Sequence, residues 1–99
     1  MYLVVMVGVL GPHHAIAETL KGGYWGCLSE ELFDQISTAA VRKDLTGIEY
    51  LLKHGCFVLK AGLKVSVLDT TWTGTAKLRV YVGDSAIVIW TVTENIVRD

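Results

Sequence analysis

Cys27 and Cys56, the only cysteines in this chain, are its most chemically versatile residues. A thiol can ligate zinc, attack an electrophilic carbon or pair with a second thiol, and the compartment decides first among these. A metal site would draw on His54, with His13 or His14, because imidazole and thiolate both suit zinc, yet no CxxC or HxxxH spacing accompanies them. A nucleophilic Cys56 would need a spatially placed base and orienter. His54, two residues away along the chain, does not supply that arrangement. Pairing requires only that two sulfurs meet. Cys27 sits just before a helix start signalled by Ser29, and Cys56 just after a helix end signalled by Gly55. A helical hairpin between them returns both thiols to one end. The placement predicts a Cys27–Cys56 disulfide, with free buried thiols and a metal site as the alternatives, and a disulfide implies an oxidising compartment.

The remaining chemistry-bearing residues have simpler roles open to them. Asp44, Glu49, Asp69 and Asp84 could supply a carboxylate pair, but helix capping, a solvated helix face and turns account for all four. The glycines form no GxGxxG between a strand and a helix, so no dinucleotide is indicated and no cofactor or metal is expected. The aromatic residues are the better candidates for contact, since rings offer large area at low entropy cost. Trp72 lies between Thr71 and Thr73 with Asp69 and Gly74 nearby, a polar loop that predicts exposure. Tyr24 and Trp25 stand among Gly22, Gly23 and Gly26. Trp90 falls in an apolar strand, where packing is its expected role.

These residues must be positioned by what surrounds them. Leu3 to Leu10 is almost wholly apolar, Pro12 follows, and Ala15-Ile16-Ala17 has the small-x-small spacing accepted by signal peptidase. Residues 1–17 are read as an export signal, with a mature domain over 18–99; no Lys or Arg precedes the apolar run, and a buried strand over Tyr2 to Leu10 is the alternative. No membrane span is expected in the mature form. Glu18 to Gly26 reads as an extended lead-in. Ser29 then caps a helix with Glu30 and Glu31 in its first turn and an apolar stripe of Leu32, Phe33, Ile36, Ala39 and Ala40. Asp44 caps a second, with Leu45, Ile48, Leu51 and Leu52 at helical spacing and Gly55 just past its end. Ala39 to Gly55, with paired alanines, a small polar turn and Leu-Leu before a glycine, resembles the helical part of an ankyrin repeat. No second copy follows, so an array is excluded.

After Cys56 the period shortens. Phe57–Leu59, Leu63–Leu68, Ala76–Val82 and Ala86–Val92 read as strands, with Gly83-Asp84 as a tight type II′ hairpin turn. The run Gly62-Leu63-Lys64-Val65-Ser66-Val67-Leu68, the loop holding Trp72, Ala76 to Val82 and Trp90 to Val97 resembles a bacterial SH3-like domain in its order. It departs from that pattern where Thr91 separates Trp90 from Val92. The resemblance implies a small antiparallel β-barrel over 56–97. The expected fold is therefore α+β: an N-terminal helical hairpin (28–55) packed on an SH3-like barrel of four or five strands.

The 99 residues carry a net charge of −1 with cations spread along the chain, which leaves no footprint for nucleic acid. The expectation is a periplasmic or secreted, non-catalytic module that binds a protein, peptide or cell-wall component through Trp72, Tyr24 and Trp25. The alternative is a disulfide-stabilised inhibitor or structural protein acting on a larger enzyme; a small hydrolase stands third.

Overall fold

The structure is a computed structural model that describes residues 18–97, so the export segment read over 1–17 lies outside the described residues. Its elements, in chain order, are β1 (Glu18–Leu20), β2 (Trp25–Cys27), α1 (Glu30–Val41), α2 (Leu45–Leu52), β3 (Cys56–Val58), β4 (Lys64–Thr70), β5 (Thr75–Val82), β6 (Ser85–Val92), a 3-10 turn at Thr93–Asn95 and β7 (Ile96–Val97).

The helices begin where the capping residues place them. Ser29 is extended and its side chain accepts from the Leu32 N–H, while Asp44 accepts from the Gly47 N–H. Between the helices the chain turns through Lys43, whose φ of 57° is left-handed. The Asp44 N–H donates to the Ala39 carbonyl at 2.9 Å and the Lys43 N–H to the Ala40 carbonyl at 3.1 Å, the two bonds of a Schellman cap. Asp44 therefore closes one helix and opens the next. Phe33, Ile36 and Ala39 of α1 and Leu51 of α2 are buried.

All strand pairs are antiparallel and form one sheet in the order β3-β2-β6-β5-β4-β1-β7. The expected hairpin-then-barrel arrangement is corrected in two respects. The sheet has seven strands and does not close. It also starts before the helices, because the lead-in contributes β1 and β2, and the helical hairpin is an excursion between β2 and β3. The reason is local: Gly22 and Gly23 at positive φ turn the chain between two three-residue strands, which are too short to display an alternation. Gly26 within β2 is required by packing, since a Cβ there would lie 2.7 Å from the Leu59 side chain.

Two cores result. Leu20, Leu59, Val65, Leu78, Val80 and Ile89 are among the residues that fill one face of the sheet; Phe33, Ile36 and Leu51 close over Cys27 and Cys56 on the other. A buried polar chain ties the first core to the lead-in. Asn95 accepts from the Gly22 N–H at 2.9 Å and donates to Thr91 Oγ1 at 3.3 Å, and Thr91 donates to the Trp25 carbonyl at 2.7 Å.

The disulfide is present, with Cα atoms 4.0 Å apart. Cys27 and Cys56 are directly opposed in the β2–β3 register, and the adjacent Leu28 N–H bonds to the Gly55 carbonyl, which makes theirs a non-hydrogen-bonded pair, the closer of the two antiparallel kinds. Replacing both cysteines by alanine is expected to lower stability by about 3.5 kcal/mol, the chain-entropy value for a loop of this length. Denaturant unfolding of the two proteins measures it. Lys43→Gly is expected to raise stability by about 1 kcal/mol, because a side chain leaves a left-handed position at a helix end. A lowered urea midpoint would instead show that the lysine side chain compensates for its backbone.

Candidate functional site

The β4–β5 hairpin turns through Trp72, Thr73 and Gly74. Three-residue loops of this kind place a left-handed residue last, and Gly74 has φ 97°. The loop is held from several sides. Thr71 N–H donates to the Thr75 carbonyl at 2.8 Å, Gly74 N–H to the Thr71 carbonyl at 3.1 Å, and Thr75 N–H to Thr71 Oγ1 at 3.1 Å. Thr71 and Thr73 hydroxyls meet at 2.8 Å, and Thr93 N–H donates to the Gly74 carbonyl at 2.8 Å. On this fixed loop Trp72 is 97% exposed, as its polar surroundings predict.

Tyr24 and Trp25 are half-buried elsewhere. Trp25 packs against the disulfide cluster and its carbonyl is engaged by Thr91; the Tyr24 carbonyl accepts from the Leu59 N–H. An indole as exposed as Trp72 is not packed on either, so the three rings do not form one cluster. Trp90 instead lies near the hairpin. It packs on the disulfide cluster, in keeping with its expected role, and also lines a groove of about 180 Å³ with Glu30, Asp69, Thr71, Thr75 and Lys77. The Lys77 ammonium sits 5.4 Å from the Trp90 ring centroid, within cation–π range. Asp69 reaches this face through an irregularity in β4 between Val67 and Asp69, which sets it opposite Lys77. Its Oδ1 accepts from the Thr70 N–H.

The other sequence candidates have structural duties. His54 Nδ1 lies 2.6 Å from the Tyr50 carbonyl oxygen; a carbonyl only accepts, so Nδ1 carries the proton. The imidazole also stacks on Tyr50 at 4.0 Å between centroids. His13 and His14 lie outside the described residues. Asp44 is a cap, Glu49 is exposed on α2 and Asp84 on the Gly83-Asp84 turn. Gly83 has φ 60° and Val82 pairs with Ser85, as a two-residue II′ turn requires. Among the described residues no three of His, Cys, Asp and Glu come together as a metal site.

One cluster escaped the sequence reading. Ser66 Oγ lies 2.7 Å from the Tyr81 hydroxyl, and Ser66 is only 7% exposed. The Ser66 hydroxyl and the neighbouring Arg79 guanidinium hold the Tyr81 phenol below its ordinary value of 10, against the opposing effect of burial. The signal was present in the wet faces of 64–68 and 77–82, but only the register shows that Lys64 opposes Tyr81 and Ser66 opposes Arg79. No family model, curated protein or solved structure matches the chain.

Ser66→Ala is expected to move the Tyr81 titration upward, read from the phenolate absorbance with Tyr81→Phe identifying the residue. The sign of the linkage follows: a phenol whose folded pKa is below its unfolded one adds stability as pH rises from the folded value through 10. Wild-type protein should therefore gain stability over Tyr81→Phe across that alkaline window. No gain there would remove the assignment.

Proposed function

We propose that this chain is an exported, non-catalytic binding module, periplasmic or secreted, that recognises a protein, peptide or cell-wall component of the envelope. The observation that carries this reading is Trp72. A fully presented indole on a loop fixed by a network of hydrogen bonds and a left-handed glycine has its contact area prepared before a partner arrives, which limits the ordering entropy that binding must overcome. The groove beside it adds a half-buried indole, a lysine and two carboxylates, groups that orient a ligand by charge and hydrogen bonding. The disulfide, and the fact that no described helix is long and apolar enough to cross a membrane, are compatible with an extracytoplasmic address.

The inhibitor alternative draws on a different surface. Val41 is 83% and Leu45 73% exposed on the helical hairpin, apolar side chains suited to another protein's surface.

Trp72→Ala is expected to change stability by less than about 0.5 kcal/mol, as for an exposed side chain without packing duties. Capture of the partner from envelope extract identifies the ligand, and the same variant should then weaken its binding by about 2 kcal/mol or more. Unchanged affinity would move the contact surface to the helical hairpin.

A further inference from the structure

The helices cover only part of the sheet surface opposite the first core. α1 contacts β2, β3 and β6, and α2 contacts β3. Neither helix makes a comparable contact with β4 or β5, which α1 approaches only through Glu30 at the groove, and the register of these strands defines what they present. Lys64 opposes Tyr81, and Ser66 opposes Arg79; Tyr81 and Arg79 in turn oppose Ala86 and Val88 of β6. Directly opposed side chains lie about 5 Å apart at Cβ, so these four polar groups form a contiguous block. Neither of these rows across β4, β5 and β6 contains a carboxylate. The one acid on this side of β4, Asp69, is opposed to Lys77 instead.

The hydroxyls are already organised. Ser66 is nine-tenths buried with its Oγ 2.7 Å from the Tyr81 oxygen. When Ser66 donates that bond, the Tyr81 hydroxyl is free to donate its own proton elsewhere, beside the Arg79 guanidinium. Lys64 and Arg79 are exposed. A planar multi-donor cation, a point cation and a hydroxyl donor on one surface are the groups that receive an oxyanion. Ser66 and Arg79 favour the phenolate of Tyr81, an oxyanion of the protein's own.

We propose that Lys64, Ser66, Arg79 and Tyr81 form an oxyanion-binding site for a phosphate group, separate from Trp72 and its groove. The phosphate takes charge-assisted bonds from Arg79 and Lys64 and one hydroxyl bond from Tyr81, with Ser66 orienting the phenol from beneath. Two sources present this chemistry, free phosphate and a phospholipid headgroup.

The test titrates the protein with inorganic phosphate against chloride at constant ionic strength, following backbone amide resonances. In parallel, the protein is sedimented with phosphatidylcholine vesicles that do or do not contain phosphatidylglycerol. Saturable shifts centred on residues 64, 66, 79 and 81 are expected, weakened about tenfold or more by Arg79→Ala, as loss of a charge-assisted pair implies. Lys53→Ala, which removes a cation at the end of α2, should leave them unchanged. Thermal unfolding of each variant establishes that it is folded. Arg79-dependent phosphate binding supports the site with soluble phosphate as its source. Arg79-dependent sedimentation with the anionic vesicles, without phosphate binding, supports it with the headgroup as source. Shifts no larger at the block than at Lys53, or binding in both arms that is absent or indifferent to Arg79→Ala, overturn it.

Discussion

The cross-strand bond between Cys27 and Cys56 is the constraint on which the helical half of this molecule depends. Twelve and eight residues make helices that are marginal by themselves, and the apolar surface they bury is small. By fixing the two residues that bracket the excursion, the disulfide shortens the loop that must be ordered and supplies two buried sulfurs as the floor for Phe33, Ile36 and Leu51. Trp90 shares that floor from β6. The staple thus supports the helices, and through Trp90 it also supports one wall of the groove near the exposed loop.

The other half is built differently. β4, β5 and β6 form a meander with tight turns and long ladders, and its core carries no covalent link. Alternation along these strands puts Ala76, Leu78 and Val80 inward and Lys77, Arg79 and Tyr81 outward. Apart from Glu30 of α1, every polar group of the two candidate surfaces comes from the outward set or from an adjoining turn, so a rigid ladder positions nearly all of them. The register shift between Val67 and Asp69 matters for this placement. Strict alternation from Val65 and Val67 would send Asp69 toward the core, whereas the extra residue brings its carboxylate out to Lys77.

Sequence patterns exposed the parts governed by short-range chemistry. Ser29 and Asp44 announced their helices, the cysteines announced their bond, Gly83-Asp84 its turn, and the Thr-rich surroundings of Trp72 its exposure. What was missed depends on long-range pairing. β1 and β2 are three residues each, and their membership in the sheet rests on partners such as Val65, Val97 and Trp90, distant in sequence. Lys43 hid because a lysine gives no sign of a left-handed φ. The Lys64–Tyr81 and Ser66–Arg79 pairs were visible as two wet faces but not as neighbours, since a shift of one residue would rearrange every pair. Openness of the sheet was equally hidden: strand number and closure follow from which edges meet.

The buried Asn95 has a consequence for when the chain can fold. Its side chain accepts from Gly22, 73 residues earlier, and β1 is sandwiched between β4 and β7, with Thr19 opposite both Lys64 and Val97. The first described strand thus has its full set of neighbours only once the last has been synthesised. Such distant contacts form late, because loop closure precedes any reward from the contact. During synthesis β1 can therefore meet β4 well before β7 exists, but its second edge stays open until residues 96–97 have been added.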